Sequence, residues 1–294
     1  MNFSIGATEM NKFDVYGDGS VRVGRATSIA SGAKIVFSKP SKVTIGDYCT
    51  IGSGVKIVCS GGDVHIGDWS TLHDNCLVLS TKYVYIDEHC WFGQNCVIDG
   101  SGGLKIGRGV RVGMYSQIWS HVAAGEQMEG CTLVGERPVC IENDVWLVGS
   151  CIVASGVTLG HRTVALIGSN ITKSFPGNTI LAGTPATPKP GLSFYKSVTQ
   201  EEKLKMLEQW IKAAANEMGL KVDVDSGEQI RASNNLGESI VFVATATLAN
   251  TVRALNPEAT ICCIENKTYN KQFTNIEGQI LKHLAGNKAR FIST

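Results

Sequence analysis

Between Val21 and Pro188 an aliphatic residue returns about every sixth position, and this repeat restricts the possible folds more than any other feature of the chain. The units read VGRATS IASGAK, IGDYCT IGSGVK, IGDWST LHDNCL, IDEHCW FGQNCV, IGRGVR VGMYSQ and IENDVW LVGSCI VASGVT LGHRTV. Each opens on an aliphatic residue, usually followed by Gly, Asp or Glu, and carries a small or compact residue at its fifth position. Longer periods overlie the short one. Val23, Ile45, Ile66, Ile86 and Ile106 are separated by 22, 21, 20 and 20 residues, and Ile141 to Leu159 by 18.

Alternation explains the spacing. In a strand, residues two apart share a face, so positions one and five of a hexad both point inward. Three short strands per turn make a triangular coil, and stacked coils pair strand on strand in parallel around one continuous core. A spacing of 20 to 22 adds residues at a corner, where they can bulge outward.

The rule breaks once. From Ile106 to Ile141 is 35 residues, about 15 more than the preceding coils require, and the excess lies between His121 and Val139. An insertion in a regular solenoid should leave at a corner and project over the surface, where loops carry function. The spacing therefore predicts a protruding loop over 122–138, with His121 where the coil ends. Glu126, Glu129 and Glu136 lie in it, as solvated charges or as groups that orient His121.

Cysteine fits the same pattern. Of ten cysteines, Cys49, Cys76, Cys90, Cys96 and Cys151 occupy fifth positions, where a free thiol packs as a small hydrophobe. No C-x-x-C pair is present, so neither a disulfide framework nor a metal site is expected. A net charge of +1 gives no reason for a nucleic-acid or anionic-membrane partner. No apolar run approaches the roughly 18 residues of a membrane span. The start, MNFSIGATEMNKFDVYGDGS, has no basic region followed by an apolar core, which predicts no secretory signal and a cytoplasmic protein.

This hexad pattern resembles the left-handed parallel β-helix of the hexapeptide-repeat acyltransferases, over roughly two-thirds of the chain. The closing run NITKSFPGN…AGTPA is similar to the stretch found in maltose, galactoside and sialic-acid O-acetyltransferases. The fold implied is an all-β solenoid, a left-handed parallel β-helix over residues 1–190. Left-handedness comes from the resemblance.

The resemblance also implies a chemistry. Members of the family place a histidine beside such a loop as catalytic base, which makes His121 the candidate here. Neutral imidazole suits removal of a hydroxyl proton near pH 7. A Trp in the segment that matches Trp146 lies close to that histidine, shaping the acceptor pocket or donating to an oxyanion. Asp99 matches an acceptor-contacting aspartate of the galactoside enzymes. Their asparagine one coil before the histidine is replaced by Gly93, with Asn95 two residues on, and Trp119 is a weaker acceptor candidate. Gly149, Thr172 and Lys173 match positions lining a coenzyme A groove. The family's later arginine near the 3′-phosphate is absent; Thr187 stands there, and Lys189 could serve instead.

The other histidines are expected to be structural or on the surface, His65 and His89 both facing solvent. The resemblance thus implies an acetyl-CoA-dependent O-acetyltransferase with a saccharide acceptor, no metal, and a homotrimer with sites between subunits. Direct transfer is expected, because no G-x-S-x-G elbow is present. Two other classes remain open: a non-catalytic β-helix used for assembly or regulation, and a metal lyase of the γ-carbonic anhydrase kind. The lyase needs three converging histidines.

Beyond TPATPKPG the rules change. Pro185, Pro188 and Pro190 end the coil and predict a stiff connector. Residues 191–294 read as a small α/β domain without a catalytic constellation. TQEEKLKMLEQWIKAAANEMG predicts a helix, with Thr199 and Glu202 as a capping box and Gly219 at its end. SIVFVA and ATICCIEN read as strands, Cys262 and Cys263 pointing to opposite faces. TNIEGQILKHLAG predicts a last helix opened by a second capping box, Thr274 and Glu277.

Overall fold

The computed structural model describes residues 13–225 and 228–294. The stretch read for a secretory signal falls mostly outside them. The chain divides into two compact units, one ending at Ser193 and the other beginning at Phe194.

The first unit is a left-handed parallel β-helix built from three sheets. The first sheet has eight strands, from Asp14–Tyr16 to Asn170–Ile171. The second has seven, from Ser20–Val23 to Thr158–Leu159, and the third nine, from Ser28–Ile29 to Thr187–Pro188. Each coil places one strand in each sheet, and neighbours pair in parallel, as in Ile86↔Ile106 and Ile106↔Ile141. The one antiparallel pair within these three sheets joins Ile180–Ala182 to Thr187–Pro188. Pro188 therefore lies in an edge strand, where its missing N–H is tolerated, and the connector begins after it.

The hexads account for the core. First-position residues such as Ile45, Ile66, Ile86, Ile106 and Ile141 are buried with fifth-position Val55, Val110, Val145 and Val157 in one continuous cluster. The five fifth-position cysteines are all buried and free. Four of them donate to a carbonyl 17 or 18 residues on: Cys49 Sγ to Gly67 O at 3.2 Å, Cys76 to Gly93 at 3.1 Å, Cys90 to Gly107 at 3.1 Å and Cys96 to Gly113 at 3.4 Å. Burial pushes the Cys49 thiol up to about 12, so almost no reactive thiolate forms near neutral pH. A thiol reagent is expected to titrate the partly buried Cys131 and Cys140 in the folded protein, Cys140 more slowly because burial and the nearby Glu142 raise its thiol. The remaining cysteines should react only after denaturation, a difference that a timed titration with and without denaturant reads directly.

Coil corners turn through left-handed residues, among them Tyr48 (φ 58°), Trp69 (φ 60°) and His89 (φ 59°). The Tyr48 and Trp69 rings stack at 4.1 Å, and His89 lies parallel to Trp69 at 6.2 Å. His89 is consequently 7% exposed, not solvent-facing as the hexad position suggested. His65 is half-buried and stacks on Tyr85 at 4.8 Å.

The second unit holds a six-stranded mixed sheet and three helices. Helix α1 (Gln200–Met218) has the capping box: the Glu202 amide donates to Thr199 Oγ1 at 3.2 Å, and the Thr199 amide to Glu202 Oε2 at 2.7 Å. Helix α2 (Ala246–Leu255) links the parallel strands Ser239–Val243 and Thr260–Cys263, and the sequence reading missed it. It also missed Lys221–Asp225 and Gln229–Ser233. At α3 (Asn275–Ala285) Thr274 accepts from the Glu277 amide, but no second capping box forms. Glu277 turns inward, fully buried, and accepts from Thr260 Oγ1 and the Gln272 amide, each at 2.7 Å.

Candidate functional site

The extra residues form a small arm. His121–Ala123 and Val134–Glu136 pair antiparallel, with His121 opposite Glu136, and a short 3-10 turn, Gln127–Glu129, lies between them. The arm leaves the first sheet after Ser120 and rejoins the second at Val139–Ile141. Its base is clamped where the Arg137 amide donates to the Ser120 carbonyl at 2.9 Å.

His121 meets the coil below at this base. Its Nδ1 lies 2.8 Å from Asp99 Oδ2, Asp99 being at the end of the first-sheet strand Val97–Gly100. The Asp99 side chain has no exposed surface, whereas that of His121 is 39% exposed. Four further donors converge on the carboxylate. The Ser120 amide and hydroxyl reach Oδ2 at 2.7 and 2.8 Å, and the Ser101 amide and hydroxyl reach Oδ1 at 3.2 and 2.6 Å.

Burial alone would push the Asp99 carboxyl up. The hydrogen bonds from Ser101, His121 and Ser120 outweigh it and hold the group below its ordinary value. An ionised carboxylate only accepts, so the proton between the two residues belongs to Nδ1. The lone pair of His121 then sits on Nε2, which has no protein partner among the described residues. The Trp119 indole meets the imidazole edge-on at 5.8 Å and donates from Nε1 to Gln117 Oε1 at 3.0 Å. The result is an imidazole held in one tautomer, partly open to solvent beside a projecting arm.

Glycine makes the approach possible. A Cβ on Gly102 would lie 2.1 Å from the Ser120 carbonyl oxygen, and one on Gly103 (φ 98°) 2.8 Å from the Tyr83 ring. The turn Gly100–Gly103 therefore presents no side chain except that of Ser101, the residue that bonds Asp99.

Several sequence expectations need correction here. Asp99 does not present itself to an acceptor; it is buried beneath His121 and orients it. The orienting carboxylate comes from the preceding coil and not from the arm. Glu136 instead pairs with Lys82 at 3.1 Å, both side chains about half exposed. Such a pair contributes about 0.2–1 kcal/mol. Lys82→Ala should accordingly shift a denaturant-unfolding free energy by under about 1 kcal/mol.

Trp146 lies on the third sheet, between Arg111 and Val164, not on the face that carries Asp99 and Trp119. Its indole is 43% exposed, but its backbone N–H already donates to Thr163 O at 2.9 Å and is not available to an oxyanion. Asn95 sits at a corner (φ 59°), two residues before the strand Val97–Gly100 that carries Asp99 near its other end. Gly149 is a buried corner residue, and Thr172 and Lys173 are exposed just after Asn170–Ile171. Lys189, also exposed, places Nζ 3.4 Å from Thr187 Oγ1. Sequence reasoning missed Ser101 and Ser120. The described residues contain no group of three or more His, Cys, Asp or Glu able to hold a metal ion, and no helix long and apolar enough to cross a membrane.

No family model matches the chain. It is 26% identical over 145 residues to a galactoside O-acetyltransferase of Lactococcus lactis, which covers 49% of this chain and 61% of that one. It is 34% identical over 105 residues to nodulation protein L of Rhizobium meliloti, covering 35% and 57%. The chain thus spans less than two thirds of the length of these curated relatives. Among solved structures, a polysialic acid O-acetyltransferase aligns with 64% of this chain and 93% of its own, at 19% identity and a TM-score of 0.44. In its repeat and its sequence, the chain is similar to the hexapeptide-repeat acyltransferases, and among them to sugar O-acetyltransferases.

Proposed function

We propose that the protein is an acetyl-CoA-dependent O-acetyltransferase that acylates a saccharide hydroxyl by direct transfer, with His121 as general base. The observation that carries this reading is the 2.8 Å hydrogen bond from His121 Nδ1 to buried Asp99, which leaves Nε2 free beside the arm. The relatives named above supply the substrate class: two of them are called O-acetyltransferases of a galactoside and of polysialic acid.

In this reading Nε2 takes the proton of the acceptor hydroxyl as its oxygen bonds to the thioester carbonyl carbon. The carbon–sulfur bond then breaks, and the imidazolium returns the proton to the departing thiolate, so the products are an ester and a free thiol. Asp99 stays ionised throughout, holding the ring and stabilising the imidazolium. The arm shields the thioester from water, and Trp119 forms one wall of the acceptor site.

Acetyl-CoA would lie in a groove along the coils after the arm, where Lys173 and Lys189 expose ammonium groups for its phosphates and Thr172 is exposed beside them; Gly149, buried at its corner, could only shape the backbone there. In a homotrimer that groove runs between two β-helices, and Trp146 faces it from the adjoining subunit. The test is calorimetric titration with acetyl-CoA, followed by free-thiol release against a panel of mono- and oligosaccharides. Binding with acceptor-stimulated release is expected. Absence of both would transfer the reading to a non-catalytic β-helix.

A further inference from the structure

The donors around Asp99 are more numerous than its orienting task requires. Holding an imidazole takes one acceptor site, and burial requires that roughly three others be filled; here five donors from three residues converge on the two oxygens. Their directions are fixed. The Gly102 amide donates to Ser120 Oγ at 2.9 Å, which commits the single Ser120 hydroxyl hydrogen to Asp99. Ser101 is the lone side chain on its glycine turn, and its hydroxyl makes the shortest contact of the set, 2.6 Å to Oδ1.

Each donor draws off part of the carboxylate's charge. An unshared carboxylate at 2.8 Å would bind an imidazolium strongly and keep the histidine protonated, unable to accept a proton. A carboxylate that spends its lone pairs on serines still fixes the tautomer but binds the imidazolium less. We propose that Ser101 and Ser120 are positioning residues that temper Asp99, so that His121 is oriented by a carboxylate without being held in its protonated form. The proposal rests on His121 being the base.

Other charged groups near the arm's base are few and stay constant in the test. Glu136, opposite His121 on the arm, is paired with Lys82. Arg137 follows it, with its amide on Ser120 O and its side chain packed near Gly156. Trp119 and Tyr83 bring neutral rings.

The experiment compares wild type, Ser101→Ala and Ser101→Thr. Ser101 is only half-buried on a surface turn, so the smaller side chain leaves the coil intact. Two readouts are taken across pH: the ring-nitrogen chemical shifts of His121 in ¹⁵N-labelled protein, and kcat/KM for acetyl transfer to the best acceptor of the saccharide panel. Ser101→Ala is expected to move both the ring titration and the acid limb of the rate profile to higher pH, by about 0.5–1 unit. Ser101→Thr, which restores the hydroxyl, should return both towards wild type. No shift, or a shift to lower pH, overturns the proposal. A ring titration that moves in a protein showing no turnover upholds the tempering network and removes His121 from the role of base.

Discussion

His121→Ala is expected to lower acceptor-dependent acetyl transfer by about 10²-fold or more, the scale of a lost general base. The loss should fall on kcat, because the substitution removes a proton acceptor used as the new bond forms and leaves the proposed acetyl-CoA groove in place. Folding should be little affected. The imidazole is 39% exposed, and Asp99 keeps four of its five donors when it is gone. A variant with unchanged calorimetric affinity for acetyl-CoA, unchanged thermal midpoint and a collapsed kcat is the expected signature. Turnover that survives the substitution would place the base elsewhere while leaving the transferase reading intact.

Asp99→Asn should damage both function and fold. An amide keeps the shape of the carboxylate but has one accepting atom in place of two, so its NH₂ must face donors from either Ser101 or the Ser120–His121 side. Leaving a buried donor unpaired costs about 1–3 kcal/mol. If the amide nitrogen faces His121, the imidazole must put its proton on Nε2 and can no longer accept one there. A drop of roughly 10²–10⁴ in kcat follows from a base held in the wrong tautomer.

The pH dependence carries a definite sign. Burial raises the Asp99 carboxyl, its hydrogen bonds lower it further, and the net value in the folded protein lies below that of the unfolded chain. The stability it contributes is therefore fully present above the ordinary aspartate value of about 3.9 and is lost as pH falls through the lower, folded value. Chemical unfolding of Asp99→Asn should show a shallower loss of stability in that acid window than wild type.

How legible these features were in the sequence differed by physical cause. The coil was legible because inward alternation forces the same residue types to recur, as at Ile66, Ile86 and Ile106, and the buried cysteines followed from the same rule. His121 was legible as the point where that rule stops. The role of Asp99 was not, because its partner lies 22 residues away and meets it only through stacking of one coil on the next. The coil repeat there is 20 residues, as in Ile98↔Ile118, so aligning coils instead of hexads would have set Asp99 opposite Trp119, two residues from His121.

Ser101 and Ser120 carried no signal by type, since serine is common at coil corners. His89 was misjudged because its left-handed backbone lays the ring on Trp69, which a strand pattern does not describe. In the second unit α2 was hidden by its composition: ATLANTVRAL mixes Thr, Val and Asn with better helix formers. Its start could have been found from Thr245, which caps the helix by accepting from the Leu248 amide. Glu277 shows the converse failure. Its spacing from Thr274 suited a capping box, but burial beside Thr260 claimed its carboxylate.

The central claim is that His121, set by Asp99, moves the proton in acetyl transfer to a saccharide hydroxyl. Its most direct test is mass-spectrometric detection of acetylated saccharide after incubation of the panel with acetyl-CoA, for wild type and His121→Ala in parallel. The account predicts an O-acetyl ester on at least one saccharide with wild type, and product reduced by about 10²-fold or more with the variant. Equal ester formation by the two proteins would contradict it.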